Sequence, residues 1–348
     1  MTAIPPRTEN LIDKIDAAHE AAQERPRPHF GASQAGHKCD RWLWLSFRWA
    51  VQPEFPGRIL RLFRRGHHEE DWIVDDLRAA GVKITHTGDR QHTIEFGCHI
   101  GGSVDGIIES GVPEAPKKRH IAEFKTHALK SFTDLKANGV EKSKPVHYWQ
   151  MQLYMLGTGI DRALYVAVCK NDDELYMERV RFDKASAEAL LERCKGIVQA
   201  DRMPDPISTD PSWYECKFCD AHEFCHDTRL TKHVNCRTCA HATAEESGEW
   251  SCARHESTGI PVDFQYEGCS CHVLHPDLVP WEMGENGRSD EAVYIINGKP
   301  IRNGDPGEHV YASSEIIANP DALGHEMVEE VRRTFPGAKI VESIEETF

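Results

Sequence analysis

Asp105, Glu123 and Lys125 are residue types that, brought together, can hydrolyse a phosphate ester. Two carboxylates offer the oxygen donors that hard cations such as Mg²⁺ prefer, and such a cation keeps several of its waters. It activates one water and stabilises the charge that grows on a phosphate during in-line displacement. A lysine alongside orients or deprotonates the attacking water, or neutralises the transition state. Asp105 lies in Gly101-Gly102-Ser103-Val104-Asp105-Gly106, and Glu123-Phe124-Lys125 follows after a polar, Pro-containing connection. An aspartate followed later by Glu-x-Lys is, taken alone, more often an ordinary surface hairpin with an ion pair. The elements that position the three residues therefore decide the reading.

Those elements have a definite order. Ile100, Val104, Ile107 and Ile108 suggest one strand, and Ile121, Ala122 and Phe124 another. Side chains alternate faces along a strand, so Glu123 and Lys125 point the same way. A hairpin through Gly111-Val112-Pro113 brings Asp105 back beside them. Upstream, Arg64 to Leu77 reads as a helix ending near Gly81, with Glu70 and either His67 or His68 available on one face. Downstream, His147 to Tyr154 reads as a second helix, and Gln150 and Tyr154, four apart, share a face.

Helix with Glu and His, strand with Asp, strand with Glu-x-Lys, helix with Gln and Tyr: this order resembles the PD-(D/E)XK nuclease superfamily, within it the RecB-like and YqaJ-like phage exonuclease branch. The resemblance spans roughly residues 31–228. It implies an α/β core, a mixed central sheet flanked by helices. By position, Asp105 and Glu123 match the metal ligands, Lys125 the catalytic lysine, and Glu70 the acidic residue of the first core helix. Gln150 and Tyr154 match the motif of the following helix, and His67 or His68 the RecB-like histidine. Val104 stands where the family motif has proline. The activity implied is a Mg²⁺- or Mn²⁺-dependent DNA exonuclease on single strands or duplex ends, in phage or bacterial recombination, replication or repair. The runner-up is a non-catalytic, metal-stapled DNA-binding scaffold, and a structure-specific endonuclease or nickase on the same fold is a third reading.

The twelve cysteines form a second line. No apolar leader or membrane-spanning run is legible, so a cytoplasmic setting is expected, where thiols serve metals or cores rather than disulfides. Cys98, Cys169 and Cys194 stand among apolar neighbours and read as small buried hydrophobes. Cys216, Cys219 and Cys225 form a C-x2-C-x5-C run that needs a fourth ligand, from His222, His226 or the distant Cys39. Spacing alone leaves zinc and iron–sulfur open. A cysteine ahead of the nuclease core with this run just after it resembles the AddB-type iron–sulfur-stapled nucleases. That resemblance assigns Cys39, Cys216, Cys219 and Cys225 to a [4Fe–4S] cluster. Cys236, Cys239, Cys252 and Cys269 have the spacing of a small zinc ribbon, with Cys271 and His272 close enough to substitute for Cys269.

Charge and punctuation set the organisation. The net charge is −15, unusual for a DNA-binding chain. Residues 241–348 hold 21 acidic and 7 basic residues, a net of −14, so the front part is near neutral. There Arg58, Arg61, Arg64 and Arg65 cluster ahead of the first motif helix, as a phosphate-tracking group would. Four regions are expected: an extension over 1–30 that looks like a loosely attached helix, a nuclease domain with its staple over 31–230, a zinc module over 231–277 and an acidic α/β appendage over 278–348. The appendage should contain a strand and Asn-Gly turn near Ala292–Lys299, a helix over Asp321–Phe335 and a short strand over Ala338–Val341. No G-x-x-x-x-G-K-[ST] loop occurs, so a motor would come from a helicase or recombination partner.

Overall fold

The structure, a computed structural model, describes residues 10–285, 287–335 and 337–341. Its contacts divide the chain into two units. One comprises Met1–His37, Pro53–Phe96 and Ile100–Cys194, the other Lys38–Gln52, Gly97–His99 and Lys195–Phe348.

In chain order the first unit holds α1 (Leu11–Ala21), β1 (Phe30–Gly31), α2 (Gly57–Ala79), β2 (Lys83–Thr85), β3 (Thr93–Gly97) and β4 (Ile100–Ser103). There follow β5 (Gly106–Ser110), β6 (His120–His127), α3 (Leu129–Ser143), α4 (Pro145–Thr158), β7 (Arg162–Cys169) and β8 (Leu175–Arg181). A five-stranded sheet runs β2-β5-β6-β7-β8. Only its β6–β7 pair is parallel, the others being antiparallel. A parallel neighbour demands a crossover, and α3 and α4 supply it. The fold is thus a mixed α/β one.

Helix α2 presents Ile73, Val74 and Leu77 as a buried stripe. They meet Ile84, Ile108, Phe124 and Val166 in one apolar core against the sheet. The helix ends at Ala80, with Gly81 in the left-handed region at φ 87°. It begins at Gly57, well before the expected Arg64, because its first turns serve α1. A Cβ on Gly57 would lie 2.4 Å from the Asp16 Cα. Its N–H donates to Glu20 at 2.7 Å, and Arg61 pairs with Asp16. The expected loose attachment of this N-terminal helix is therefore corrected: α1 is docked on α2.

A second correction concerns the strand around Asp105. Ile100 to Ile108 is not one strand. β4 lies between β1 and β3 in a separate three-stranded sheet, whereas β5 belongs to the large one. The chain changes sheets at Val104-Asp105, where the Val104 N–H bonds His92 O at 3.1 Å. Asp105 is thereby outside both ladders, and its side chain is aimed by the switch.

In the second unit, helix Asp40–Phe47 buries Leu43, Trp44 and Leu45. Arg237 lies 3.7 Å from the Trp49 ring centroid, and Trp49 stacks on Tyr266 at 4.2 Å. A sheet of Ala292–Ile296, Lys299–Asn303 and Val310–Tyr311 packs around Leu274, Tyr294, Ile301 and Ile316. The Asn-Gly turn is present, with Asn297 at φ 50° and Gly298 at φ 75°. The last helix is shorter than expected, Glu326–Thr334, because Gly324 at φ 65° separates it from the 3-10 turn Pro320–Ala322. Ala338–Val341 is not a strand. Ile340 gives its N–H to Glu315 at 3.1 Å and its side chain to the core, so it has no ladder to join. Among the described residues no helix is long and apolar enough to cross a membrane.

Candidate metal-dependent active site

The β5–β6 register pairs Gly106 with Ala122, which sets Asp105 beside Glu123 as the hairpin reading required. Asp105 Oδ2 accepts the Phe124 N–H at 2.8 Å, fixing the carboxylate to β6. Lys125 Nζ lies 3.6 Å from Asp105 Oδ2 and in ion-pair contact with Glu123. It also donates to Phe124 O at 2.9 Å. Glu123 is 0% exposed and, apart from the Lys125 ion pair, its oxygens accept no hydrogen bond. A buried carboxylate normally collects such bonds, because an unsatisfied one is costly.

The electrostatics follow from this crowding. Burial pushes the Glu123 carboxyl well above the usual range; Asp105 and Glu70 push the same way, and Lys125 opposes them. Glu70 is pushed up to about 7, by burial first and then by Asp105, with Lys125 again opposing. Burial works to lower Lys125, but Asp105 and Glu123 outweigh it and hold the ammonium form. Glu70 thus feels the same charges as the β6 pair, as its place on α2 led one to expect. His67 and His68 are both exposed; the helical spacing sets His67, not His68, on the Glu70 flank.

Helix α4 brings the remaining two. Gln150 and Tyr154 are buried, and Gln150 Nε2 donates to Tyr154 Oη at 3.3 Å. The hydroxyl stays protonated: burial raises it, and Glu123 adds to that. Gly102 makes its approach possible, since a Cβ there would meet Tyr154 Oη at 2.8 Å. Sequence reasoning did not single out Gly102, although a glycine within a strand is itself a sign of close approach. It also missed His127, Tyr165 and His147. His127 continues the Glu123-Lys125 face of β6, Tyr165 is the β7 partner of Glu123, and His147 is three residues before Gln150.

Asp105 and Glu123 fit a hard divalent cation. The donors are carboxylates, one of them fully buried with no hydrogen bond to its oxygens besides the Lys125 ion pair, and such cations complete their shell with water and substrate phosphate.

The thiols stand differently. Cys39, Cys216, Cys219 and Cys225 are neighbours in the second unit, although Cys39 comes from far upstream. Lys38 pairs with Glu215 at 2.6 Å across 177 residues, beside both ends of the set. Burial raises Cys216, Cys219 and Cys225, and Cys39 is among the groups that raise each further. Cys236, Cys239, Cys252 and Cys269 line one mainly apolar cavity of about 260 Å³ together with His255. Cys269 Sγ lies 3.7 Å from His255 Nε2. Burial raises Cys236 to about 12 and Cys239 to about 11, with the other thiols adding to each. Yet among the described residues no three His, Cys, Asp or Glu side chains are gathered closely enough to hold a metal ion. The expected four-thiol centres are therefore present as neighbourhoods, not as closed coordination geometries.

No family model matches the chain, and no curated protein does. Among solved structures it is similar to SSO0001, at 14% identity and a TM-score of 0.37, over 62% of this chain and 96% of that one. It is also similar to LHK-Exo in complex with dAMP, at 17% identity and a TM-score of 0.36, over 53% of this chain and 90% of that one. A further structure of LHK-Exo, an alkaline exonuclease from Laribacter hongkongensis, matches at 16% identity and a TM-score of 0.33, over 52% and 90%.

Proposed function

We propose that the chain is a Mg²⁺- or Mn²⁺-dependent nuclease that hydrolyses DNA phosphodiester bonds, acting as an exonuclease on single strands or duplex ends. The observation that carries this is Glu123: a fully buried carboxylate met by the Lys125 ammonium, which also faces Asp105. A cation bound by Asp105 and Glu123 would supply Lewis acidity and an activated water. Lys125 offers the positive charge that meets the scissile phosphate and orients the attacking water. Glu70, half-protonated near neutrality, is placed to accept or hold a proton beside them. Gln150 and Tyr154 bound the site from α4. The exposed Arg58, Arg64 and Arg65 on α2, the helix that carries Glu70, suit a phosphate backbone.

The same reading assigns Cys39, Cys216, Cys219 and Cys225 to a [4Fe–4S] cluster and Cys236, Cys239, Cys252 and Cys269 to zinc. It is supported by the shared electrostatics of each set. For the fourth zinc ligand Cys269 is favoured over His272. Both ring nitrogens of His272 are engaged, Nδ1 with Ser313 at 2.7 Å and Nε2 with Thr238 and the Asn235 carbonyl.

The test uses end-labelled linear and circular single-stranded DNA with Mg²⁺ or Mn²⁺. Wild type should degrade the linear form alone. Lys125→Ala should lose cleavage by about a hundredfold or more while remaining folded and able to bind DNA. Cutting of circles would redirect the assignment to an endonuclease, and an active Lys125→Ala protein would sink it.

A further inference from the structure

We infer that His127, Tyr165 and His147 form a hydrogen-bonded positioning unit that holds Lys125 in place over Asp105 and Glu123. The inference rests on the nuclease reading of that site.

The sheet register carries the argument. Glu123, Lys125 and His127 share one face of β6, and opposite them on β7 stand Tyr165, Ala167 and Cys169. Tyr165 does not stay beside its partner Glu123. Its hydroxyl lies 2.8 Å from His127 Nε2, on a residue four pairs further along the ladder. To reach there the ring must lean along β7 over Ala167, the residue paired with Lys125. Alanine leaves that lane open, and the phenol fills it. Lys125 and the Tyr165 hydroxyl act on each other electrostatically, and Asp105 lies 3.6 Å from the ammonium.

The hydroxyl is held at a second point, 3.0 Å from His147 Nδ1 on α4. One O–H has a single proton to give, so Tyr165 donates to one imidazole and accepts an N–H from the other. Both rings are neutral, since burial above all lowers His127 to about 4 and His147 to about 3, with Lys144 and Lys125 adding. Ser131 Oγ on α3 lies 3.3 Å from His127 Nδ1 and so helps choose its tautomer. The two rings also stack, centroids 5.9 Å apart. The chain from Ser131 to His147 therefore ties both crossover helices to the sheet at the level of Lys125. Because His147 and Gln150 ride on the same helix, the unit also fixes how α4 presents Gln150 and Tyr154.

Tyr165→Phe keeps the ring and deletes only the hinge points. It should lower kcat on labelled DNA about ten- to a hundredfold, with KM changed about twofold or less, as small misplacement of a reacting group does. His147→Asn, which retains a nitrogen near Nδ1, should keep more activity than His147→Ala. A role in folding alone predicts the reverse pattern: a lower melting temperature with kcat of the folded protein unchanged. The second arm needs no activity. In ¹⁵N-histidine spectra, assigned by single substitution, Lys125→Met should shift the His127 and His147 nitrogens and Tyr165→Phe should change their tautomer balance. Wild-type kcat in Tyr165→Phe, or histidine signals indifferent to Lys125→Met, overturns the inference. Should wild type cut no DNA, the spectra still decide the coupling, and only the nuclease reading fails.

Discussion

Neutralising Glu123 should make the metal-free protein more stable while abolishing its chemistry. Glu123→Gln keeps the shape and removes a charge that is fully buried and, apart from the Lys125 ion pair, accepts no hydrogen bond. Lys125 is not stranded by the change, because Asp105 remains 3.6 Å away and the lysine is 25% exposed. The folded carboxyl titrates well above the ordinary range, chiefly through burial. In the window between the unfolded and folded values the native state binds the extra proton, so wild-type stability falls as pH rises through it. Below the unfolded value both states are protonated and the variant should gain nothing. The variant should therefore be the more stable protein at pH 8, by about 1 kcal/mol or more. Urea unfolding in EDTA at pH 4 and pH 8 reads the difference directly. Added Mg²⁺ works the other way: at about a hundred times its Kd a ligand adds about 2.7 kcal/mol to wild type, and the variant should gain little. A Glu123→Gln protein less stable than wild type at pH 8 in EDTA refutes the reasoning, since the carboxylate would then be a structural member of the core.

Two further outcomes are expected. Gly102→Ala inserts a methyl against the Tyr154 hydroxyl and should cost about 1–3 kcal/mol in thermal unfolding, with a fall in kcat as Tyr154 is displaced. Cys39→Ser should remove bound iron, about four atoms per chain in the anaerobically purified wild type, and leave zinc near one. Cys252→Ser should do the opposite, and metal analysis of both proteins checks the pair. Two zincs and no visible absorbance in wild type would overturn the cluster assignment and leave the nuclease proposal untouched.

What was legible in the sequence was whatever depends on local period. The helical spacing of Trp72, Ile73, Asp76 and Leu77 announced α2, and the spacing of Gln150 and Tyr154 placed both on one side of α4. The strand pair was legible because Glu-x-Lys alternation and a Gly-Val-Pro turn are short-range signals. The start of α2 was not, since Gly57 is helical on account of its approach to Asp16, a partner no local pattern names. The break at Val104-Asp105 was hidden for the same reason. Nothing in Ile100 to Ile108 says that its two halves pair with different sheets. Among the site residues, the unread ones, His127, Tyr165, His147 and Gly102, act through register and packing rather than through a motif.

That division has a physical root in β6. Its residues alternate between two environments: Ala122 and Phe124 enter the apolar core under α2, while Glu123, Lys125 and His127 face the other way. A slip of one residue would drive two charges into that core and expose Phe124, so the register is specified about as strongly as a strand's can be. The long parallel pairing with β7, from Ile121 to His127, carries the specification across to Tyr165. The same constraint that keeps the fold unique thus places Tyr165 opposite Glu123 and Ala167 opposite Lys125. A substitution such as Ala167→Leu should therefore act on the lysine before it acts on the fold. The added bulk sits on the already polar face and closes the lane that the Tyr165 ring occupies.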